Sequence, residues 1–478
     1  MKSKFAGMLA MVALLSACGG GDGSGGGGTF TGGTTTAGGG AGGAGCSLLE
    51  RQNWAAAQLR EWYLFPELLP ASSNPAGYGN VDDYIDALTA TARSQRKDRY
   101  FTYLTSIRQE DAYYNAGTSG GFGVRLSYDT LARRVFVAES FEGAPALAAG
   151  IDRGAEIVSI GTSAANLASV ASIMAASGPN GVLTALGPDT AGTTRVLRIT
   201  GGGGGQRDVT VTKADYALTP ISSRYGVQIL NDGGRQVGYV NLRTFIGTAD
   251  PALRDAFARF RAAGITQVIV DLRYNGGGAI VIAELFSDLL GGQRSTADVQ
   301  SRTVFRPDKS SNNSIRYYGP QPQSIAATRI AFIGTGGTAS ASELVINASI
   351  PYLGANAGLI GTNTYGKPVG QIARDQAACD DRLRVVALAT QNAARQGDYY
   401  DGLAGKVQAS CQATDDVNYP MGDPREASTR AALDFLAGRS CGAAIGDAGL
   451  RSATSGGRRE LLTPMRPNTA QREVPGLL

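Results

Sequence analysis

Residues 265–278 read ITQVIVDLRYNGGG, a nearly continuous apolar run that ends in three glycines. Such a run is typical of a strand that is buried on both faces of a sheet. Before it, Leu253, Phe257 and Phe260 repeat at helical spacing, and residues 279–290 continue as a second helix. Alternating strands and helices predict an α/β core.

A second buried strand is predicted at residues 329–334, and it leads directly to Ser340. The helix that starts at Ala341 should stop before Pro351, which cannot donate a main-chain hydrogen bond. If the two strands are parallel neighbours, Ser340 lies beside the loop of residues 275–278. The start of the helix then offers free N–H groups that can stabilise an oxyanion.

The absence of histidine narrows the chemistry. None of the 478 residues is His, which excludes both a Ser-His-Asp triad and a Cys-His dyad. A serine hydrolase built from this chain would use Ser340 as nucleophile and Lys367 as base, with the lysine kept neutral by burial. The alternatives are the ordinary ones: Ser340 as a helix cap and Lys367 as a solvated turn residue.

Composition bounds the partners. Charged residues make up 18% of the chain, the net charge is +4, and the basic residues are scattered, so nucleic acid is not an expected partner. The chain has neither His nor a CxxC pair, and we expect no metal. No Gly-Lys-Ser/Thr follows the glycine loop, which disfavours a phosphate site. We therefore expect no cofactor.

The N-terminus has the pattern of a lipoprotein signal. Lys2 and Lys4 precede an apolar run, Phe5–Leu15, and Leu15-Ser16-Ala17-Cys18 resembles a lipobox. We expect cleavage before Cys18 and lipidation of its thiol; the alternative is a plain secretory signal. The protein is then expected in a bacterial cell envelope, held to the membrane by the lipid and facing the periplasm or the exterior.

The remaining cysteines predict disulfides, because their number is even and the chain is expected to be exported. Three pairings are open from sequence. We favour Cys379–Cys411, which share one C-terminal region, and Cys46–Cys441, which would join the two ends of the folded body.

Residues 117–213 resemble a PDZ domain. Gly121, Phe122, Gly123 and Val124 open a strand and match the loop with which that family captures a peptide's carboxylate. A pattern of Pro-Ala-x-x-Ala-Gly-Ile-x-x-Gly follows from residue 145 and strengthens the resemblance. Glycine in the loop lets main-chain N–H groups approach an anion closely.

The joint order of motifs resembles the carboxyl-terminal processing proteases, also called tail-specific proteases. The motifs are Val-Gly-Tyr-Val at 237–240, the loop at 271–278, Thr-Ala-Ser-Ala-Ser-Glu at 338–343 and Gly-Lys-x-x-x-Gln at 366–371. The resemblance implies a crotonase-like α/β core with an inserted PDZ domain and an N-terminal helical cap. It implies protein or peptide substrates with free C-termini.

The resemblance also implies the roles of single residues. Ser340 corresponds to the nucleophile, Lys367 to the base and Gln371 to the residue that positions the lysine. The oxyanion donors map to the amide of Ala341 and to a glycine of the loop, for which we expect Gly277.

Two other functions stay open on the same scaffold. One is a non-catalytic peptide- or lipid-binding envelope protein, and the other is an envelope adaptor that works through its PDZ domain. The expected divisions are a signal peptide at 1–17, a lipidated tether at 18–45, a helical domain at 46–115, a PDZ domain at 116–214, a peptidase core at 215–447 and a flexible tail at 448–478.

Overall fold

The computed structural model describes residues 45–201, 204–446 and 459–478, all within the unit Gly43–Leu478. Cys18 and the predicted signal peptide lie outside the described residues. The described helices are α1 (Leu48–Trp62), α2 (Val81–Leu88), α3 (Ala90–Ser94), α4 (Ile107–Ala116), α5 (Pro145–Ala148), α6 (Val170–Leu186), α7 (Ala249–Ala262), α8 (Ile280–Leu290), α9 (Ala341–Leu353), α10 (Ala427–Ala437) and α11 (Thr469–Glu473). Within that part of the chain, no helix is both long and apolar enough to span a membrane.

The strands, in chain order, form four sheets. They are β1 (Tyr103–Ser106), β2 (Thr118–Gly121), β3 (Val124–Asp129), β4 (Arg134–Ser140), β5 (Glu156–Gly161), β6 (Ala168–Ser169), β7 (Thr194–Gly201), β8 (Gly204–Thr212), β9 (Ala214–Ala217), β10 (Val227–Asp232), β11 (Arg235–Asn241), β12 (Gln267–Asp271), β13 (Val299–Phe305), β14 (Ser314–Tyr317), β15 (Arg329–Gly334), β16 (Ala357–Gly361), β17 (Val369–Gln376), β18 (Asp381–Gln391), β19 (Ala409–Gln412) and β20 (Glu460–Leu461).

The central sheet has six strands in the order β10-β11-β12-β15-β16-β19. β10 pairs antiparallel with β11, and every other pairing in this sheet is parallel. Its inner strands β12, β15 and β16 are mostly apolar because both faces are covered, one by α7, α8 and α9 and the other by α10. The prediction of an α/β core is confirmed.

The two strands predicted to lie together are neighbours. β12 and β15 pair in parallel, with Val270 opposite Phe332, so both carboxyl ends reach the same edge of the sheet. There the Ala339 amide donates to the Asn275 carbonyl oxygen at 3.0 Å. This contact joins the glycine loop to the start of α9, at the edge where open α/β sheets bind their ligands.

One helix end differs from the prediction. α9 continues to Leu353 and therefore passes through Pro351. Proline removes the N–H that would bond the carbonyl of Asn347, four residues earlier. The Nδ2 group of Asn392 donates to that carbonyl oxygen at 3.3 Å, and this contact satisfies it in place of the helix.

Two further sheets flank the central one. The seven-stranded sheet follows the order β20-β3-β4-β5-β7-β8, with β6 on β5, and buries an apolar cluster together with α6. The five-stranded sheet follows β1-β18-β13-β14, with β17 on β18, and packs against α1 and α2. β2 and β9 form a separate pair.

The prediction of a flexible tail is wrong for residues 459–478. This segment contains β20 and α11, and Leu462, Val474, Leu477 and Leu478 are buried. The Gly/Ser/Arg/Pro-rich composition of the chain beyond about residue 447 suggests a loose segment. The segment is ordered because its few apolar side chains enter the cores of other elements.

Both predicted disulfide pairings are wrong. The bonds are Cys46–Cys379 and Cys411–Cys441, with Cα–Cα distances of 5.5 and 5.6 Å. Cys411 lies in β19 of the central sheet and Cys379 follows β17 of another sheet, so the two cannot meet. Cys379 and Cys411 pair instead with Cys46, just before α1, and Cys441, just after α10, and each of these helices packs against the sheet of its partner cysteine.

Candidate active site

Ser340 lies at the junction of β15 and α9 in a strained conformation. Its φ and ψ are 55° and −115°, a region that non-glycine residues adopt at a cost of about 1–3 kcal/mol. The residue lines a cavity of about 490 Å³ together with Lys367 and Gln371. The structure thus brings the three predicted catalytic side chains to one cavity.

The neighbouring serine has a different environment. Ser342 is fully buried, and its hydroxyl donates to the Asn275 carbonyl oxygen at 2.9 Å. It fixes the glycine loop to α9 and does not line the cavity. Between the two serines of the motif, Ser340 is therefore the one that faces open space.

Lys367 follows a turn that leads into β17, and its ammonium group is held by Gln371. The Nζ atom donates to Gln371 Oε1 at 2.9 Å, and the amide of the same glutamine donates to the Phe101 carbonyl oxygen. Nζ also lies 5.1 Å from the centre of the Phe101 ring. Among the described residues, no hydrogen bond joins Nζ to the Ser340 hydroxyl.

The surroundings of Lys367 favour its neutral form. Burial lowers the pKa of its ammonium group below the usual range, and the carboxylate of Glu473 acts in the opposite direction. Burial also raises the pKa of Glu473, whose charge Lys367 in turn favours. Desolvation is the larger effect on both groups.

Glu343 is the residue that ties the two halves of the site together. Its buried carboxylate accepts the Ser340 amide at 3.0 Å and the Lys367 amide at 2.7 Å, both on Oε2. Its other oxygen accepts the Thr364 hydroxyl at 2.6 Å and the Gly366 amide at 2.7 Å. Burial raises the pKa of this carboxyl, and the hydrogen bonds oppose the shift.

Glu343 ends the Thr-Ala-Ser-Ala-Ser-Glu motif at 338–343, and no role is predicted for it from the sequence. A glutamate three residues after a helix-start serine suggests a capping box. That signal accounts for the bond to Ser340, whereas the bonds to the Lys367 turn come from the tertiary fold.

The main-chain amides that are free at the cavity differ in part from the expected oxyanion donors. The Gly277 amide donates to Asn275 Oδ1 at 2.9 Å and is therefore already engaged. The amides of Ala341 and Gly278 have no hydrogen-bond partner in the described chain, and both residues line the cavity with Ser340. The structure favours Gly278 over Gly277 as the second donor.

Gly277 is required for a different reason, which is the lack of space for a side chain at its position. Its φ is 123°, and a Cβ atom there would lie 2.7 Å from the Cβ of Ser340. Any side chain would press against the nucleophile, so the close approach of the loop to α9 requires glycine.

The predicted carboxylate loop is occupied by the chain itself. Gly123 and Val124 donate their amides to the main-chain oxygen of Leu478 at 2.9 and 3.2 Å. Phe122 is buried beside them, and a Cβ atom on Gly121 would lie 2.7 Å from the Leu478 carbonyl carbon. These four residues lead into β3 of the seven-stranded sheet and are far from Ser340 in sequence. The C-terminal segment connects the two regions, because it contacts both this loop and the glycine loop beside Ser340.

The N-terminal helical region contributes a wall of the site. The guanidinium of Arg99 donates to the carbonyl oxygens of Tyr365 and Gly366 at 2.7 and 2.6 Å, directly before Lys367. It also stacks 4.1 Å from the centre of the Tyr365 ring. The turn that carries the lysine is therefore shaped by residues from outside the α/β core.

The residues of the site lie within a stretch that is similar to a known protein family. Residues 236–398, which include Ser340, Lys367 and Gln371, match the profile of Peptidase family S41. The chain is 29% identical over 340 residues to a chloroplastic C-terminal processing peptidase of Tetradesmus obliquus, covering 68% of this chain and 65% of that protein. It is 26% identical over 312 residues to carboxyl-terminal-processing peptidase 3 of Arabidopsis thaliana, covering 63% and 54%.

The fold agrees with this assignment. A solved structure from Bacteroides fragilis that is assigned to the S41 proteases superposes with a TM-score of 0.63 and 21% identity, covering 80% of this chain and 97% of that one. The aligned part spans between about half and two thirds of the length of the curated relatives named above.

Proposed function

Because residues 236–398 form a Peptidase family S41 domain, we propose that this chain is a serine endopeptidase that uses a Ser340–Lys367 dyad. The observation that carries the proposal is the shared cavity of Ser340, Lys367 and Gln371, with Glu343 fixing the main chain of the first two. A lysine base needs a lowered pKa, and burial provides it at Lys367.

The first step forms an acyl-enzyme. Neutral Lys367 turns from Gln371 toward Ser340 and accepts its hydroxyl proton while the oxygen attacks the scissile carbonyl carbon. The negative oxygen that develops is stabilised by the amides of Ala341 and Gly278. When the C–N bond breaks, Lys367 returns the proton to the leaving amine.

The second step releases the acyl group. Water replaces the departed amine, gives a proton to Lys367 and attacks the ester carbon. The same two amides stabilise the second oxyanion, and collapse restores the Ser340 hydroxyl with the proton from Lys367. Each proton accepted by the lysine is returned, so the cycle needs no other base.

The substrate is proposed to be a protein or peptide bound by its C-terminal end. The support is the seven-stranded sheet, where Gly121–Val124 lead into β3 and only the two-residue strand β20 pairs beyond it, as expected near the peptide-binding edge of a PDZ domain. A peptide that adds antiparallel to β3 satisfies the edge and leaves its end at the loop amides. The helices of residues 46–115 then serve as the proposed cap domain and the central sheet as a crotonase-like core.

The location is proposed from sequence alone. The Leu-Ser-Ala-Cys pattern at residues 15–18 and the Gly-rich residues after it support a lipid anchor on Cys18 and an envelope location. Labelling of cells with a fatty-acid analogue should mark the wild-type chain and not a Cys18→Ala variant.

Digestion of an unstructured protein with an apolar C-terminus tests the activity. Wild type should cleave it, whereas Ser340→Ala and Lys367→Ala should not. Ser349→Ala in the same helix and Lys406→Ala at an exposed position serve as matched controls and should cleave normally. Cleavage by Ser340→Ala at the wild-type rate would refute the mechanism, and no cleavage by wild type would favour a binding protein.

A further inference from the structure

The C-terminal segment lies along the open edge of β3. β20 pairs with Tyr128 and Ser127, and the segment then returns to pair with the other end of the strand. Leu126 donates its amide to the Gly476 carbonyl at 3.0 Å, and the Leu478 amide donates to the Val124 carbonyl at 2.9 Å. The pairing is antiparallel, as required for a peptide that extends a sheet.

Leu478 fills the predicted peptide site. The Leu478 side chain is 3% exposed and belongs to the apolar cluster of Phe122 and Leu126. Leu477 is 1% exposed and belongs to a second cluster that includes Phe141. Two consecutive leucines are thus held on opposite sides of the added strand, which is the alternation of a β-strand.

The same segment crosses the catalytic loop before it reaches β3. The Gly276 amide donates to the Glu473 main-chain oxygen at 2.9 Å. Glu473 accepts the Tyr114 hydroxyl at 3.2 Å and lines the cavity of Ser340 and Lys367. α11 therefore lies directly over the loop that has to receive the scissile carbonyl.

Polar contacts hold this segment to the rest of the fold. Arg125 donates to the Pro475 carbonyl oxygen at 2.9 Å, and the Arg472 guanidinium donates to the Tyr100 carbonyl oxygen at 2.9 Å. The side-chain Nε2 group of Gln471 donates to Asp189 Oδ2 at 2.6 Å. One segment thereby contacts the helical region, the seven-stranded sheet and the glycine loop.

From these contacts we infer that residues 469–478 are a built-in ligand that blocks the β3 groove and the catalytic loop until a substrate displaces them. The β3 groove is defined by the Gly121–Val124 loop and the β3 edge from Val124 to Leu126. The inference rests on the proposed function insofar as the groove is where substrates bind. A substrate that displaces the segment has to offer two consecutive apolar side chains of leucine size to the pockets that hold Leu477 and Leu478.

Displacement costs a competing ligand part of its affinity. A tethered segment acts at an effective concentration in the millimolar range, so a free peptide of the same sequence binds the closed chain much more weakly. Loss of the tethered ligand should therefore raise the affinity for a free peptide by at least about tenfold.

Peptide binding in the Ser340→Ala background tests the inference without depending on catalysis. The probe is a fluorescein-labelled peptide with the sequence of residues 471–478. Leu478→Asp places a charge in an apolar pocket and should release the segment, so the probe should bind at least about tenfold more tightly than to the parent chain. Met465→Asp, at an exposed position just before residues 469–478, is the matched control and should bind the probe like the parent chain. Equal affinity in all three proteins would overturn the inference.

A second measurement uses the unaltered chain and guards against misfolding of the variant. Hydrogen exchange of the fragment 470–478 should speed up when unlabelled probe peptide is added, because the Leu478 amide loses its partner on Val124. Unchanged exchange at saturating peptide would refute displacement. In the active background, Leu478→Asp should raise kcat/KM for a protein substrate, and a fall would refute the blocking role. If neither protein cleaves while the binding results hold, the proposed peptidase activity fails and the built-in ligand stands.

Discussion

Ser340 and Lys367 donate their main-chain N–H groups to a single atom, Oε2 of Glu343, at 3.0 and 2.7 Å. The two residues belong to different elements, the start of α9 and the turn before β17. One buried carboxylate therefore sets the distance between their main chains. Its role is to position both residues, and it does not itself contact the reacting atoms.

Glu343→Gln should lower kcat with little change in KM. The amide group cannot accept hydrogen bonds at both of its ends, so the Thr364 and Gly366 donors or the Ser340 and Lys367 donors lose their acceptor. A displacement of about 1 Å can cost about 10²-fold in rate. Steady-state kinetics on a peptide substrate measure both constants.

Asp288→Asn is the matched control for that variant, because Asp288 is also a buried carboxylate that accepts several hydrogen bonds. Asp288 lies near the end of α8, away from the cavity of Ser340. The Asp288→Asn variant should therefore lose stability while its kcat is retained. A Glu343→Gln variant whose kcat stays within twofold of wild type would contradict the positioning role.

Glu473→Gln should shift the pH dependence of Ser340 reactivity in the resting chain to lower pH. Only neutral Lys367 can accept the serine proton, so reactivity is lost as pH falls through the lysine pKa. The Glu473 carboxylate favours the protonated lysine and holds that pKa up against the effect of burial. Removal of its charge should lower the pKa and move the acid limb downward.

The rate at which a small fluorophosphonate labels Ser340, measured against pH, reports this limb. Glu460→Gln, at an exposed position of the same C-terminal segment, should leave the profile unchanged. An upward shift in Glu473→Gln would mean that the sign of the interaction is wrong.

Ser340→Gly should be more stable than Ser340→Ala, although both lack the nucleophile. The φ of 55° at this position strains a residue with a Cβ atom and costs glycine little. We expect a difference of about 1 kcal/mol in the free energy of unfolding, measured by urea titration. If alanine is equally stable, the strain at the nucleophile is absent in solution.

Removal of either disulfide should destabilise the chain, and the bond that closes the longer loop should matter more. The bonded cysteines are 30 residues apart in sequence in Cys411–Cys441 and 333 residues apart in Cys46–Cys379. Loop-closure entropy predicts a loss of about 4 kcal/mol for the shorter loop and about 2 kcal/mol more for the longer. Urea titration of the paired Cys→Ser variants measures both, and non-reducing peptide mapping should recover these pairings and not Cys379–Cys411.

The sequence was informative wherever one short stretch determines its own structure. The apolar runs of β12 and β15 can only be buried strands, and their glycine and serine ends follow from parallel pairing. The predictions that were wrong concern features that depend on contacts between distant segments. The acceptor for the Gly277 amide is a side chain whose rotamer no pattern encodes, and the continuation of α9 through Pro351 depends on Asn392 from a later segment.

The prediction of a flexible C-terminal tail was wrong for a related reason. Its apolar residues follow neither a helical nor an alternating period, because they bury against two separate clusters instead of one face. The disulfides, in turn, depend on which helical segment packs on which sheet. Nearness in sequence was the only guide available for them.

The contact of Arg99 with the turn before Lys367 bears on how this chain can be divided into separate parts. The S41 match begins at residue 236, yet a cation more than a hundred residues earlier shapes the lysine turn, and the Phe101 carbonyl anchors Gln371. The region that the family profile recognises is therefore smaller than the unit that must be inherited together. Transplanting the α/β domain onto another N-terminal partner should preserve its fold and lose the geometry of its base.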